Sequence, residues 1–86
     1  MDKLQKVSVI AHRKGIKTSI FPSTRKDKKY MLYVNKKKVH FGQKGYSDYI
    51  EHGDKKRRRN FHNRFRNHKG YNDKTSGLYY SRMLLW

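Results

Sequence analysis

The stretch KYMLYVNKKKVHFGQKGYSD, residues 29–48, carries the strongest β-strand signal in this chain of 86 residues. Two runs rich in β-branched and aromatic residues flank a polar break at residues 35–38. Short runs of this kind around a few polar residues predict a β-hairpin. Because side chains alternate along a strand, Val39 and Phe41 would share an apolar face and His40 would lie opposite. We therefore expect one face of the hairpin to pack on a core and the other, basic face to meet solvent or a polyanion.

The residues after the hairpin predict a turn and the starts of two helices. Ser47 is a good helix N-cap, which would put Asp48 at the first helical position. Gly53 would interrupt this first helix, and Asp54 would cap the second. The hairpin and the second helix would therefore be joined by one short helical segment.

Residues 55–69, KKRRRNFHNRFRNHK, predict a helix that is almost entirely basic. Eight of these fifteen residues are Lys or Arg and none is acidic, so the helix repels itself and gains no stabilising i,i+4 ion pairs. Phe61 and Phe65 supply a narrow apolar stripe. A run of charge is usually a solvated surface, but the complete lack of acids here favours contact with a polyanion.

Residues 78–86 are rich in large apolar side chains and predict a final helix capped by Thr75 or Ser76. Two roles are open to this segment. It can complete the core by packing on the hairpin, or its bulky end, Leu85 and Trp86, can anchor a partner protein.

Residues 1–27 are expected to form a basic N-terminal arm ahead of a folded domain of residues 28–86. Short β-prone runs on either side of Gly15 leave a second hairpin as the alternative. Lysines and arginines recur throughout, which favours an arm that becomes ordered only on a partner. The fold class that we predict is a small single α+β domain, in which the hairpin packs on the Arg-rich helix and the C-terminal aromatic helix.

The charge of the chain is its most informative bulk property. It has 23 Lys or Arg against 6 acids, a net charge of +17, and it has no cysteine. Disulfides and thiolate metal sites are therefore excluded, and a polyanionic partner would relieve the self-repulsion. Nucleic acid is the commonest partner of this kind, and acidic proteins are another. No apolar run approaches the length of a membrane span, and no secretory signal is recognisable.

The chain offers little for catalysis. No pair of carboxylates has the spacing of an acid–base site, and we expect no enzyme, no cofactor and no metal site. The strongest enzymatic alternative is a small nuclease of the ββα-metal type, built from His40, His62 and Asn63. The spacing is loose for such a site, and Arg64 and Arg66 would repel a cation.

The hairpin and the C-terminal segment resemble a family of small basic proteins encoded by nucleocytoplasmic large DNA viruses. The matching positions are Lys29, Tyr30, Met31, Val34, Asn35, Val39, His40, Phe41, Gly42, Gly45, Tyr46, Ser47, Asp48, Tyr49, His52, Asp54, Gly77, Ser81, Arg82, Leu84, Leu85 and Trp86. The resemblance implies a viral origin and carries no activity with it. This chain departs from the pattern at Lys36, where glycine usually follows Asn35, and at Met83, where tryptophan is usual.

We therefore expect a non-enzymatic viral protein, present in the virion and otherwise in the host cytoplasm or nucleus, that binds nucleic acid through its phosphates and tolerates any sequence. The residues expected to make these contacts are Lys36, Lys37, Lys38, Lys55, Lys56, Arg57, Arg58, Arg59, Arg64 and Arg66. The alternative is a virion adaptor, a minor capsid or core protein that binds acidic capsid or core proteins and uses Leu85 and Trp86 as its anchor.

Overall fold

Four α-helices and a three-stranded antiparallel sheet make up the fold in the computed structural model, which describes residues 2–86. The elements in chain order are α1 (Lys3–Arg13), β1 (Phe21–Pro22), β2 (Lys28–Val34), β3 (Lys37–Gln43), α2 (Tyr49–His52), α3 (Lys55–Phe65), a 3-10 turn (Lys69–Asn72) and α4 (Gly77–Leu84). The order of the strands in the sheet is β1-β2-β3. The prediction of a small single α+β domain is confirmed.

The predicted hairpin is β2 and β3, joined by a two-residue turn. Tyr30 pairs with Phe41 across the strands, so the apolar residues of the two strands meet on one face. Asn35 and Lys36 form the turn with φ of 50° and 67°. Two consecutive residues with positive φ are typical of the type I′ turn, whose twist matches that of the strands. Lysine occupies the second position, where glycine is the usual residue.

The N-terminal segment differs from the prediction, because residues 3–13 are helical rather than an arm or a hairpin strand. Asp2 and Gln5 form a capping box at the start of α1, and Val7 and Ala11, one helical turn apart, are buried. An apolar pair at this spacing gives the helix an inward face. Ile20 is also buried, so the N-terminal segment contributes to the core.

The turn after β3 also starts its helix differently from the prediction. Asp48, and not Ser47, is the N-cap of α2, and its carboxylate accepts a hydrogen bond from the main-chain N–H of Glu51. Gly53 ends α2 with φ of 62°, and Asp54 caps α3 through the N–H groups of residues 56 and 57, both as expected. α3 ends at Phe65 rather than at residue 69. The chain then continues into the 3-10 turn.

The C-terminal helix α4 begins after Ser76, which caps it as predicted, and packs along β3. A methyl group on Gly77 would lie 2.2 Å from the carbonyl oxygen of His40, so only glycine allows this approach. Ser81 accepts a hydrogen bond from the N–H of Gly42 at 3.1 Å. The core therefore lies between the sheet and the two helices α1 and α4. Its buried apolar members are Val7, Ala11, Ile20, Leu32, Val39, Phe41, Tyr80, Leu84 and Leu85.

Candidate nucleic-acid interface

α3 carries a concentration of positive charge that no acid of the described chain neutralises. Its six Lys and Arg residues, and Arg66 directly after it, are all exposed. The ion pairs found in residues 2–86 involve Lys3, Arg25 and Lys29, and none involves a cation of α3. Asp54 accepts hydrogen bonds from main-chain N–H groups at the helix start. The charge of α3 is therefore available to an external anion.

The inward face of α3 is held by aromatic and polar contacts. The ring of Phe61 stacks on Trp86, with centroids 4.5 Å apart and planes 2° apart. His62 shares a 2.7 Å hydrogen bond with the hydroxyl of Tyr71. Arg58 donates through Nε to the main-chain oxygen of Trp86 at 2.6 Å, and its guanidinium lies 5.0 Å from the ring centre of Tyr49. Arg58 therefore helps to hold α3 on the domain, in addition to contributing positive charge.

The remaining cations of α3 point in two directions. Arg57 and Arg64, seven residues apart, line a cleft beside the helix together with the Phe61 ring. The others lie outside this cleft and face solvent; they are Lys55, Lys56 and Arg59, with Arg66 following the helix. The helix thus offers a solvent-facing row of charge and a second, smaller group at the cleft.

The cleft has a volume of about 800 Å³ and is lined by three parts of the chain. The open end of the hairpin and the turn after it contribute one part, α3 the second, and α4 with the C-terminal residues the third. Three cations from the hairpin side join Arg57 and Arg64 there, namely Arg25, Lys28 and Lys29. This convergence was not predicted from the sequence, where Arg25 belongs to the expected N-terminal arm and Lys28 and Lys29 to the start of the domain. One signal in the sequence could have indicated the convergence, because the open end of a hairpin lies beside the segment that follows its second strand.

A buried ion pair fixes the turn at the edge of the cleft. Asp48 is only 1% exposed and accepts hydrogen bonds from Lys3 Nζ at 2.7 Å and from Lys29 Nζ at 3.0 Å. Glu51 pairs with Lys3 as well. Burial raises the pKa of the Asp48 carboxyl, but the hydrogen bonds from the two lysines outweigh burial and hold that pKa below its ordinary value. Three elements, α1, β2 and α2, are therefore joined at this point.

The hairpin lysines do not join the group on α3. Lys36, Lys37 and Lys38 are exposed, as expected, but they lie at the closed end of the hairpin. Lys28 and Gln43, at the open end, line the cleft. The two ends are six residues apart along β3, roughly 20 Å at about 3.3 Å per residue. The ten predicted contact residues therefore form two separate groups.

The proposed partner anchor is divided between the interior and the surface. Leu85 is 1% exposed and belongs to the core, so it is not available to a partner. Trp86 is half-buried, stacked on Phe61 and exposed toward the cleft. Leu85 therefore completes the core, which is the first of the two roles predicted for this segment.

The histidines considered for a nuclease have separate partners. His40 Nδ1 lies 2.7 Å from Ser23 Oγ, whereas His62 bonds to Tyr71 and to the main-chain oxygen of Trp86. Within residues 2–86, no three His, Asp or Glu side chains are close enough together to hold a metal ion. No helix in the same range is long and apolar enough to cross a membrane.

The fold and its exposed charge define a small basic α+β domain. Residues 18–65 match the model of a protein family of unknown function (DUF5754), which covers more than half of the chain, so the chain belongs to that family. The matched residues run from β1 through α3 and include the whole sheet. Searches of the curated proteins and of the solved structures found no match.

Proposed function

We propose that this protein binds nucleic acid through its phosphates, with α3 as the principal contact. The observation that carries the proposal is that the cations of α3 are all exposed and that none is paired with an acid in the described chain. A stable fold gains nothing from concentrating like charge in this way, because like charges on neighbouring turns destabilise a helix. A row of phosphates would compensate that repulsion.

Binding of this kind is expected to tolerate any sequence. Lys55, Lys56 and Arg59, on the solvent side of α3, have long, flexible side chains that no hydrogen bond within residues 2–86 orients. Arg66, directly after the helix, donates to Asn63. Readout of bases requires side chains fixed against base edges, whereas contacts with phosphates need only charge within reach. We therefore propose a non-enzymatic protein that recognises the charge of the backbone. A place in a virion, next to a packed genome, is the setting that we propose for it.

An adaptor for acidic capsid or core proteins draws less support. The charge would suit such a partner equally well. However, Leu85, one of the two residues of the predicted apolar anchor, is buried in the core. Purification after nuclease treatment separates the two ideas. A fixed stoichiometry with one capsid protein would favour the adaptor, and loss of all partners would favour nucleic acid.

The test is equilibrium binding to a random DNA duplex at several salt concentrations. If about six phosphates are neutralised, the plot of log K against log salt should have a slope of about −5. Heparin should compete, because it offers the same charge without bases. A slope near zero, or no binding at about 0.1 M salt, would contradict the proposal.

A further inference from the structure

The cleft beside α3 is richer in aromatic surface than phosphate binding requires. Phe61 and Phe65 lie on its helical side with centroids 4.8 Å apart, and Trp86 continues the cluster beyond Phe61. Tyr46, on the turn after β3, lines the cleft as well and is 67% exposed, the most exposed large apolar side chain described. Exposed aromatic rings at a basic cleft are surfaces on which planar groups can stack.

The turn that carries Tyr46 is held in place although the ring itself is not covered. The main-chain oxygen of Tyr46 accepts a hydrogen bond from Lys29 Nζ at 2.5 Å, and the same ammonium group pairs with buried Asp48. The backbone that carries the ring is therefore anchored before any ligand arrives. Binding to a ring on an anchored turn costs less conformational entropy than binding to one on a mobile loop.

The charge around the cleft favours an anionic occupant. Five cations line it, and its one carboxylate, Asp48, is already bonded to two lysines. Arg57 and Arg64 on the helical side and Lys28 on the hairpin side are in none of the ion pairs of residues 2–86, whereas Arg25 pairs with exposed Asp27. A ligand that matches this lining combines a planar apolar part with negative charge on both sides of it.

We propose that the cleft receives an unpaired nucleobase together with its neighbouring phosphates, so that the protein prefers single-stranded to double-stranded nucleic acid. This inference rests on the proposed phosphate binding and adds the class of strand. In a duplex the faces of each base are covered by its neighbours, so a base can stack on protein rings only when it is unpaired. Phosphate binding by the solvent side of α3 alone would show no such preference.

The test uses the single tryptophan of the chain as a reporter, since Trp86 lines the cleft. The full chain is titrated with an oligothymidylate of about 12 nucleotides and, separately, with an abasic deoxyribose-phosphate strand of the same length. Both strands have the same charge, and they differ only in their bases. We expect the oligothymidylate to quench Trp86 and to bind with at least about 10-fold higher affinity than the abasic strand. The affinity of a duplex of equal length should be closer to that of the abasic strand.

Two tyrosine variants make the test specific to the cleft. Tyr46→Ala removes an exposed ring that the core does not use, and it should weaken oligothymidylate binding roughly 5- to 100-fold while leaving abasic binding unchanged. Tyr33→Ala is the matched control, because Tyr33 is 41% exposed on β2 and lies outside the cleft. It should change neither affinity.

The outcomes separate this inference from the proposed function. Equal, salt-sensitive binding of the thymidylate and abasic strands would overturn the inference and keep the proposed function. No binding of either strand at low salt would overturn both. If thymidine monophosphate quenched Trp86 with the same affinity as the oligonucleotide, the inference would also be overturned, because the neighbouring phosphates would then contribute nothing.

Discussion

The ring of Phe61 lies parallel to the indole of Trp86, with 4.5 Å between the two centroids. This stack joins α3, which has no fully buried residue of its own, to the segment that follows α4. Leu85, next to Trp86, is part of the core. The basic helix is therefore attached to the domain through this stack, through the contacts of His62 with Tyr71 and of Arg58 with Tyr49, and through the hydrogen bonds beside them. Its charge stays at the surface.

Phe61→Ala should loosen α3 without unfolding the rest of the domain. A fully buried phenylalanine costs about 3–5 kcal/mol when truncated, and this half-buried one should cost about 1–3 kcal/mol. An isolated helix of this length and charge is not stable in water. Hydrogen exchange should therefore accelerate across α3 and remain slow in the sheet. Arg59→Ala, at an exposed position of the same helix, is the control, and unchanged protection of α3 in Phe61→Ala would contradict this account.

The hairpin was predictable because local signals and long-range packing agree there. Residues with high β-propensity form the middle of both strands, and Asn35 suits the left-handed turn conformation. The strands extend further than predicted, since lysines at their ends pair across the ladder although nothing in their propensity favours a strand. Whether residues at the end of a strand join the sheet depends more on the partner strand than on their own β-propensity.

α1 was not predictable from the same reasoning. Its recurring lysines and arginines favoured a basic arm and its β-branched residues left a hairpin strand as the alternative, but Val7 and Ala11 lie on one helical face that the core covers. Tertiary packing overrides a weak local preference in such cases. The aromatic side of the cleft was predictable from the stripe of Phe61 and Phe65. Arg25, Lys28 and Lys29 reach the cleft only because β2 pairs with β3.

Asp48→Asn should destabilise the domain by roughly 1–3 kcal/mol at neutral pH. The amide can still cap α2, but Lys3 and Lys29 lose the charge to which they donate hydrogen bonds. Urea denaturation of both proteins at pH 7 measures the difference. Equal stability of the two proteins at pH 7 would show that the ion pair contributes nothing.

The contribution of Asp48 should also depend on pH in a defined direction. Its folded-state pKa lies below the ordinary value near 3.8, so the stabilisation is complete above about pH 5 and is lost as the pH falls through the lower, folded value. The gap in stability between the native protein and Asp48→Asn should therefore shrink when the pH is lowered from 5 toward about 2. A gap that stays constant over this range would mean that the pKa is not lowered.

Lys36→Gly should stabilise the hairpin. Lys36 has φ of 67°, a left-handed conformation that costs a residue with a Cβ about 1–2 kcal/mol. Glycine removes this cost and loses about 0.5–1 kcal/mol in chain entropy, so a net gain of about 0.5–1 kcal/mol is expected. Lys37→Gly is the control, because it removes the same charge from β3, where glycine should destabilise. Thermal unfolding of the two variants should therefore shift in opposite directions, and a common downward shift would rule out strain at the turn.

The most direct test of phosphate binding by α3 is the salt dependence of duplex binding in two charge-matched variants. The first replaces Lys55, Lys56 and Arg59, on the solvent side of the helix, by glutamine. The second replaces Lys6, Arg13 and Lys17, which are exposed outside α3 and the cleft. Each loses three positive charges, so the net charge is the same in both.

We expect the slope of log K against log salt to fall by about 2–3 in magnitude for the α3 variant and to change little for the control. An equal loss of slope in both variants would mean that the overall charge, and not α3, binds the phosphates, and it would contradict the central claim.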